Sequence, residues 1–275
     1  MGIRINTNVS SINTRRHLSN STNAFNKSME KLSSGLRINR AGDDAAGLAI
    51  SENLKSDIRA LDQAARNAAD GISLIQTAEG SLDEVSNILL RMKELAEQSL
   101  NGTLSNTDRG YLNAEYSALK DEIVRISDGV DFNDVKLLNG DGGTVMIQVG
   151  IGTAASDRVA VDLSNDVDVV GLGLGAAVDT ATSSMSAMDE VDDAISLVVN
   201  ARGSFGAVQN RLESSIRNIN MMAENLSAAN SRIRDVDVAY ETSNLTSYQI
   251  LQQAGVAMLA QANMTTGLAM SLLGG

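Results

Sequence analysis

The sequence predicts a mainly α-helical fold, a long antiparallel helical bundle or coiled coil with one small β-hairpin. None of the 275 residues is proline, which breaks helices by removing a backbone donor and clashing with the preceding turn. Apolar residues recur at alternating spacings of three and four over long stretches, which is the period of paired helices. Two short segments instead alternate between apolar and polar residues, as strands do.

Five apolar stripes predict the helices. The first carries Ile5, Val9 and Ile12 and, after an offset near residues 15–17, Phe25, Met29, Leu32 and Leu36. The others run from Leu54 to Ala96 and from Leu112 to Ile126. A fourth runs from Val191 to Ile233 and includes Ile216, and the last runs from Tyr248 to Leu272 through Leu251, Gly255 and Met258. The second stripe is expected to slip in phase near residues 78–80, since its large apolar residues change register there.

The segments between the stripes predict turns and the hairpin. LNGTLSNTDR (100–109) is rich in turn-forming residues. TVMIQVGI (144–151) and RVAVDLS (158–164) are short and β-branched, which predicts a hairpin near 144–164 with a loop longer than two residues. Residues 165–188 are rich in small residues and give no definite prediction.

Charge and composition exclude several classes of function. The net charge is −12, distributed as +5 over residues 1–43, −15 over 44–232 and −2 over 233–275. An acidic middle argues against a nucleic-acid partner, whose phosphates require basic contacts. The absence of cysteine excludes disulfides and thiolate metal sites. We also expect no cleavable signal peptide and no membrane span, because no apolar run is long enough.

The two chain ends share a property that the middle lacks. Residues 1–34 are crowded with Asn, Ser and Thr, which are poor helix formers, and residues 242–275 contain no charged side chain. Neither end is expected to hold structure alone in water, so each should order when a partner buries it. The sequence therefore predicts a terminal helical assembly domain, 1–43 plus 234–275, disordered in the monomer, and a bundle domain, 44–233.

Candidate chemical sites have simpler explanations. His17 is a lone histidine, and the pair Asp43–Asp44 is better explained as the N-cap and first-turn acid of a helix. GLGLG at 171–175 lacks the context of a dinucleotide site, and the acids at 128–134 lack calcium-loop spacing. We expect no enzyme activity, no cofactor and no metal.

Five blocks in the chain resemble the bacterial flagellins. They are SSGLRINRAGDDAAGLAIS (33–51), ILLRMKELAEQS (88–99), FNDVKLLNG (132–140), FGAVQNRLES (205–214) and ILQQAGVAMLAQAN (250–263), with SLLGG closing the chain. The resemblance covers both ends and nearly all of the chain between them. About 25 residues stand where many flagellins insert outer domains, so the chain resembles a minimal flagellin.

The resemblance implies a secreted structural subunit that forms a helical homopolymer, the extracellular flagellar filament used for swimming. Its terminal segments would pair as helices lining the filament channel. The expected partners are further copies of the chain, an export chaperone, and the cap and hook-junction proteins. The assembly residues would be Ile5, Val9, Ile12, Phe25, Met29, Leu32, Leu36, Leu251, Met258, Leu259 and Leu272.

A smaller resemblance concerns the vertebrate Toll-like flagellin receptor. The flagellins that it binds use an Arg and a Leu in the ILLRMKELAEQS block and a Glu on the next helix, which match Arg91, Leu95 and Glu115. The simpler interpretation is that Leu95 lies near a helix seam and that Arg91 and Glu115 are solvated surface charges. Leu90 stands where a Gln often precedes that Arg.

Two other functions remain as alternatives. A hook–filament junction protein would share related ends, although the QILQQAGVAMLAQAN block favours a flagellin. A coiled-coil receptor or signalling helix pair would need a membrane span or a ligand module, neither of which the sequence suggests.

Overall fold

The computed structural model describes residues 7–273, apart from the side chains of residue 266 and of 268–273. Its elements in chain order are α1 (Val9–Ser34), α2 (Ala45–Leu100), α3 (Asn106–Gly129), β1 (Asp131–Phe132), β2 (Val135–Lys136), β3 (Thr144–Gln148), β4 (Arg158–Asp162), α4 (Ala181–Arg234) and α5 (Val238–Leu273). The predicted fold class is confirmed: long helices dominate, with small antiparallel β-ladders.

The chain divides into two compact units. The terminal unit comprises Met1–Ser56 and Asn225–Gly275, and the central unit comprises Asp57–Glu224. Helices α2 and α4 contribute residues to both.

The core of the central unit follows a seam along α2. Buried positions recur without a break at Leu61, Ala64, Ala68, Gly71, Ile75, Ala78, Leu82, Val85, Leu89, Met92, Ala96 and Ser99. The phase slip expected near residues 78–80 is therefore wrong. Small residues at 64, 71 and 78 keep the three–four spacing, because a close helix contact needs a small side chain rather than a large apolar one.

Helix α4 runs antiparallel to α2 within the central unit. Arg202 Nη1 lies 3.0 Å from Asp83 Oδ1, and Lys93 pairs with Asp192, so position numbers fall along one helix as they rise along the other. The predicted seam of α4 is buried at Val191, Val198, Phe205, Leu212 and Ile219. Ile216, also expected in this seam, is only half-buried.

The turn before α3 ends in a capping box. Ser105 Oγ accepts a hydrogen bond from the Asp108 backbone N–H, and Asp108 accepts one from the Ser105 N–H, which satisfies two donors at the helix start. Hydrogen bonding to Ser105 also lowers the pKa of the Asp108 carboxyl.

The predicted hairpin is confirmed as β3 and β4, paired antiparallel with Met146 opposite Ala160. A second ladder, β1–β2, was not predicted. Asn133 and Asp134 form its two-residue turn with positive φ angles of 52° and 65°. Asn and Asp tolerate this left-handed backbone, and a two-residue loop requires it.

Candidate assembly surface

Helices α1 and α5 pack against each other in antiparallel orientation in the terminal unit. Asn8 Nδ2 donates a hydrogen bond to the carbonyl oxygen of Ala262 at 2.8 Å. Towards the other end of the pair, Lys31 Nζ lies 3.8 Å from Glu241 Oε2, and the Glu241 side chain is buried. The two chain ends thus lie side by side as helices.

A regular seam on α5 faces this contact. The seam consists of half-buried positions that keep a three–four spacing, namely Leu245, Tyr248, Gln252, Gly255, Leu259 and Ala262. Gly255 allows a close approach, because a Cβ there would lie 3.2 Å from Leu18 Cδ1. The sequence placed Leu251 and Met258 on one stripe with Gly255, whereas the structure places their neighbours Gln252 and Leu259 there.

The predicted assembly residues fall into two groups. Phe25, Leu32, Leu36 and Leu259 are half-buried. The others whose side chains are described remain exposed: Val9 (64%), Ile12 (59%), Met29 (49%), Leu251 (53%) and Met258 (62%). Ile5 lies outside the described residues. Leu272 belongs to α5, but its side chain lies outside the described part of the structure.

Among the described side chains of residues 242–273 in α5, three further large exposed apolar residues lie outside the predicted set of assembly residues. Ile250, Val256 and Met264 are each more than half exposed. They belong to the uncharged segment 242–275, and that lack of charge was the signal that could have identified them. The solvent side of α5 is therefore apolar over much of its length.

The interior of the terminal unit is thin. Among the described residues, Ile38 is its one buried apolar side chain, while all other buried apolar residues belong to the central unit. Ser28, Ser51 and Glu241 are also buried in the terminal unit. Because burial of apolar surface is the main favourable contribution to folding, this unit has little core of its own.

Two connectors in the terminal unit are joined by hydrogen bonds: residues 35–44 between α1 and α2, and residues 235–237 between α4 and α5. Leu36 and Asp235 form a β-bridge, and the Val236 N–H donates to the Gly35 carbonyl at 3.0 Å. Arg37 donates through Nε and Nη2 to the Ile233 carbonyl at 3.1 and 2.5 Å. The Arg37 bonds satisfy the Ile233 carbonyl in the last turn of α4, where carbonyls have no partner within the helix.

The Asp43–Asp44 pair organises the start of α2. Asp44 is its N-cap, since Oδ1 accepts from the Gly47 N–H at 2.9 Å. The cap therefore lies one residue later than expected, because Asp44, predicted as the first-turn acid, is the N-cap, and Asp43, predicted as the N-cap, precedes it. Asp43 pairs with Lys27 at 2.6 Å and accepts two backbone N–H groups from the preceding turn. The hydrogen bond from Lys27 is the main cause that lowers the pKa of the Asp43 carboxyl.

Comparison with known proteins identifies this arrangement. The model of the bacterial flagellin N-terminal helical region matches residues 5–142, and that of the bacterial flagellin C-terminal helical region matches residues 188–273. The chain is 49% identical to a flagellin of Halalkalibacterium halodurans over 271 residues, which cover 98% of this chain and 99% of that protein. The chain belongs to the bacterial flagellin family.

Two further comparisons agree with this flagellin assignment. A flagellin of Bacillus subtilis is 47% identical over 294 aligned positions, covering 95% of this chain and 96% of that protein. The crystal structure of Bacillus cereus flagellin matches with a TM-score of 0.51 and 32% identity, over 60% of this chain and 94% of that one. Nearly complete coverage of these relatives supports the prediction of a short flagellin without large outer domains.

The candidate receptor residues of this flagellin occupy different environments. Arg91 donates through Nε and Nη2 to Glu115 Oε1 at 3.0 and 2.8 Å, joining α2 to α3 on an exposed face. Hydrogen bonds to Glu94 and Glu115 raise the pKa of the Arg91 guanidinium. Leu95 has no exposed surface, so its expected role as a direct contact is not supported. Leu90 is 51% exposed beside Arg91.

The remaining sequence candidates are His17 and the GLGLG segment. His17 is exposed on α1. In the GLGLG segment, Leu172 and Leu174 are buried and anchor the loop before α4. Over the described part of the chain, no group of three or more His, Cys, Asp or Glu side chains could hold a metal ion. None of the described helices is both long and apolar enough to cross a membrane.

Proposed function

We infer that this chain is a structural subunit of the bacterial flagellar filament and that it polymerises through the α1–α5 pair. The exposed apolar side of α5 carries this inference. Leu251 and Met258 lie there, in a segment with no charged residue from 242 to 275. Contiguous exposed apolar surface of this kind is typical of a surface that another chain covers.

Contact between subunits would bury the apolar surface of the terminal unit, which has little core of its own. Covering a Leu or Met side chain contributes about 1.5–3 kcal/mol, and α5 exposes several of them. Small residues along the same helix, such as Ala254, Ala257 and Ala260, permit close helix approach. A contact between two different surfaces that does not close on itself produces a helical polymer, as this role requires.

The ends are proposed to order only on assembly. Their single buried apolar residue among those described, Ile38, supports this, since so small a core does not offset the entropy of ordering two long helices. Chain ends that remain unfolded would suit secretion through a narrow export channel to the extracellular filament. We expect an export chaperone to bind them first, and the cap and hook-junction proteins to meet them at assembly.

Identity to flagellins over the whole chain favours this role over that of a hook–filament junction protein. A receptor helix pair is not favoured, since no described helix fits a membrane span. Receptor recognition is a second proposed function. The exposed Arg91–Glu115 pair supports it, with Leu95 holding α2 in place from inside rather than touching the receptor.

Removing residues 242–275 tests the assembly role. The shortened chain should keep its helical circular dichroism and cooperative melting, because the buried apolar residues of the central unit are all retained. It should form no filaments in negative-stain microscopy. In the intact monomer, amides of 242–273 should exchange hydrogen rapidly and become protected on polymerisation.

Two results would contradict the proposal. Filaments made by the shortened chain would remove the assembly role of α5. Strong amide protection in the intact monomer, or unfolding of the shortened chain, would show instead that the ends belong to the monomer's own core.

A further inference from the structure

A pocket of about 420 Å³ opens on the central unit beside β4 and α4. The buried side chains of Val149 and Val159 form its apolar part. The polar residues around it are Ser156, Arg158, Arg211, Ser214, Ser215 and Asn218. No carboxylate lines this pocket, although acidic residues outnumber basic ones in the chain by 34 to 22.

Arg211 has no acidic neighbour on its own side of α4. The positions three and four residues away on either side are Ala207, Val208, Ser214 and Ser215. Glu213 points to a neighbouring face, where it lies 3.9 Å from Arg217. Within the described residues, the Arg211 guanidinium makes no hydrogen bond or ion pair.

Arg158 lines the same pocket from β4 and is held in position. Its Nε donates to Gln148 Oε1 at 3.1 Å across the β3–β4 ladder. Gln148 is fixed in turn, because its Nε2 donates to the carbonyls of Gly150 and Gly152 at 2.8 and 2.9 Å. The terminal Nη groups of Arg158 make no hydrogen bond to the described residues, so they remain available to a ligand.

The donors on α4 share one face. Residues 211, 214, 215 and 218 follow the spacing that places side chains on the same side of a helix. The Ser215 hydroxyl donates to the Arg211 carbonyl, whereas the side chains of Ser214 and Asn218 make no hydrogen bond to the described residues. Arg211, Ser214 and Asn218 can therefore donate together to one group in the pocket.

We propose that this Arg158–Arg211 pocket binds a phosphate or sulfate group. Arg158 and Arg211 place two positive charges around one pocket that no carboxylate lines, so both would attract an anion bound there. Their planar forks match the paired oxygens of an oxyanion, and such charge-assisted hydrogen bonds are the strong ones. The volume is within the usual range for a small-ligand site and exceeds that of one ion, so it accommodates the group as part of a phosphorylated or sulfated small molecule.

The test uses the full chain and inorganic phosphate. Isothermal titration calorimetry at constant ionic strength, with light scattering to verify a monomer, should give a saturable isotherm. Arg211→Gln should raise the dissociation constant for phosphate at least about tenfold, the effect expected from losing a charge-assisted hydrogen bond. Arg217→Gln is the matched control, since it removes an equal charge from the same helix outside the pocket and should leave binding unchanged.

A second variant and a second ligand complete the design. Arg158→Gln should weaken binding similarly, so the conclusion does not depend on how Arg211→Gln folds. Glucose 6-phosphate should bind more tightly than inorganic phosphate if the group is carried by a larger ligand, and equally if the free ion is the ligand. No saturable binding of either compound, or equal losses in Arg217→Gln and Arg211→Gln, would overturn the proposal.

Discussion

Leu212 of α4 packs directly onto the backbone of α2 at Gly71. A Cβ on Gly71 would lie 3.3 Å from Leu212 Cδ1 and 3.1 Å from Ile147 Cγ1 of β3. Both Gly71 and Leu212 are buried, so α2, α4 and the β3–β4 hairpin meet where a Cβ fits only if its neighbours shift by a few tenths of an ångström.

Gly71→Val should therefore destabilise the chain. Overpacking a filled interior costs about 1–3 kcal/mol, and the midpoint of urea unfolding should fall accordingly. Gly80→Val is the control on the same helix, because nothing lies within 4 Å of a Cβ at Gly80. The control should unfold at or slightly above the wild-type midpoint, and equal losses in the two variants would refute the close contact.

Tyr116 should make stability depend on pH at alkaline values. Burial, with a smaller contribution from Glu190, raises its pKa from 10.0 to about 12. Between these values the unfolded chain loses the phenolic proton while the folded chain keeps it, so the free energy of unfolding should decrease as the pH rises from 10 to 12. Measuring unfolding at several pH values in this range checks the direction.

Tyr116→Phe should remove that contribution. The Tyr116 hydroxyl is buried without a hydrogen-bond partner among the described residues, so its loss at pH 7 should leave stability unchanged or slightly increased. Tyr111→Phe is the control, because Tyr111 is 73% exposed and should leave the alkaline slope as in the wild type. A slope that survives in Tyr116→Phe would assign the effect to other groups.

Arg91→Ala should separate stability from receptor recognition. Exposed ion pairs contribute little to stability because solvent screens them, so the melting temperature should change little. Activation of the Toll-like flagellin receptor in reporter cells should decrease. Arg125→Ala removes a comparable exposed ion pair with Glu122 and should preserve signalling. If the wild-type chain itself gives no signal, the receptor proposal fails and Leu90 becomes the first residue to examine.

A double substitution of Leu251 and Met258 by Ser should impair assembly alone. Each apolar side chain buried between subunits contributes about 1.5–3 kcal/mol, so the critical concentration for filament formation should rise by more than about tenfold. Sedimentation at increasing protein concentration measures this value. Gln253→Ser, an exposed polar position on the same helix, should assemble normally. A lowered melting temperature of the double variant would indicate instead that these side chains stabilise the monomer.

The long helices and the hairpin were predictable because their patterns depend on large apolar residues. The seam of α2 was not fully predictable for the same reason. Ala64, Gly71 and Ala78 occupy buried seam positions through their small size, which a hydrophobicity pattern does not detect. On α5, where apolar and small residues occur on every side of the helix, several stripes fit equally well, and only packing against α1 distinguished Gln252 from Leu251.

The exposed apolar side of α5 was predictable in outline, because charged residues usually mark the side of a helix that faces water. A segment of 34 residues without charge indicates a covered helix, whatever its register. The environment of individual residues depends on geometry between elements. Arg91 and Leu95 lie one helical turn apart, yet one is exposed and the other is fully buried. Likewise, only the fold brings Arg158 and Arg211 to one pocket.

The bridge between the two connectors has a mechanical consequence. In the proposed filament, rotation in a viscous medium would load each subunit along its terminal helices. Because the backbones at Leu36 and Asp235 are hydrogen-bonded side by side, tension on α5 passes to α1 within a few residues. The Arg37 bonds to the Ile233 carbonyl add to this link, so several bonds must break together before either connector extends. The two connectors would therefore resist shear together, because the hydrogen bonds between them share the load.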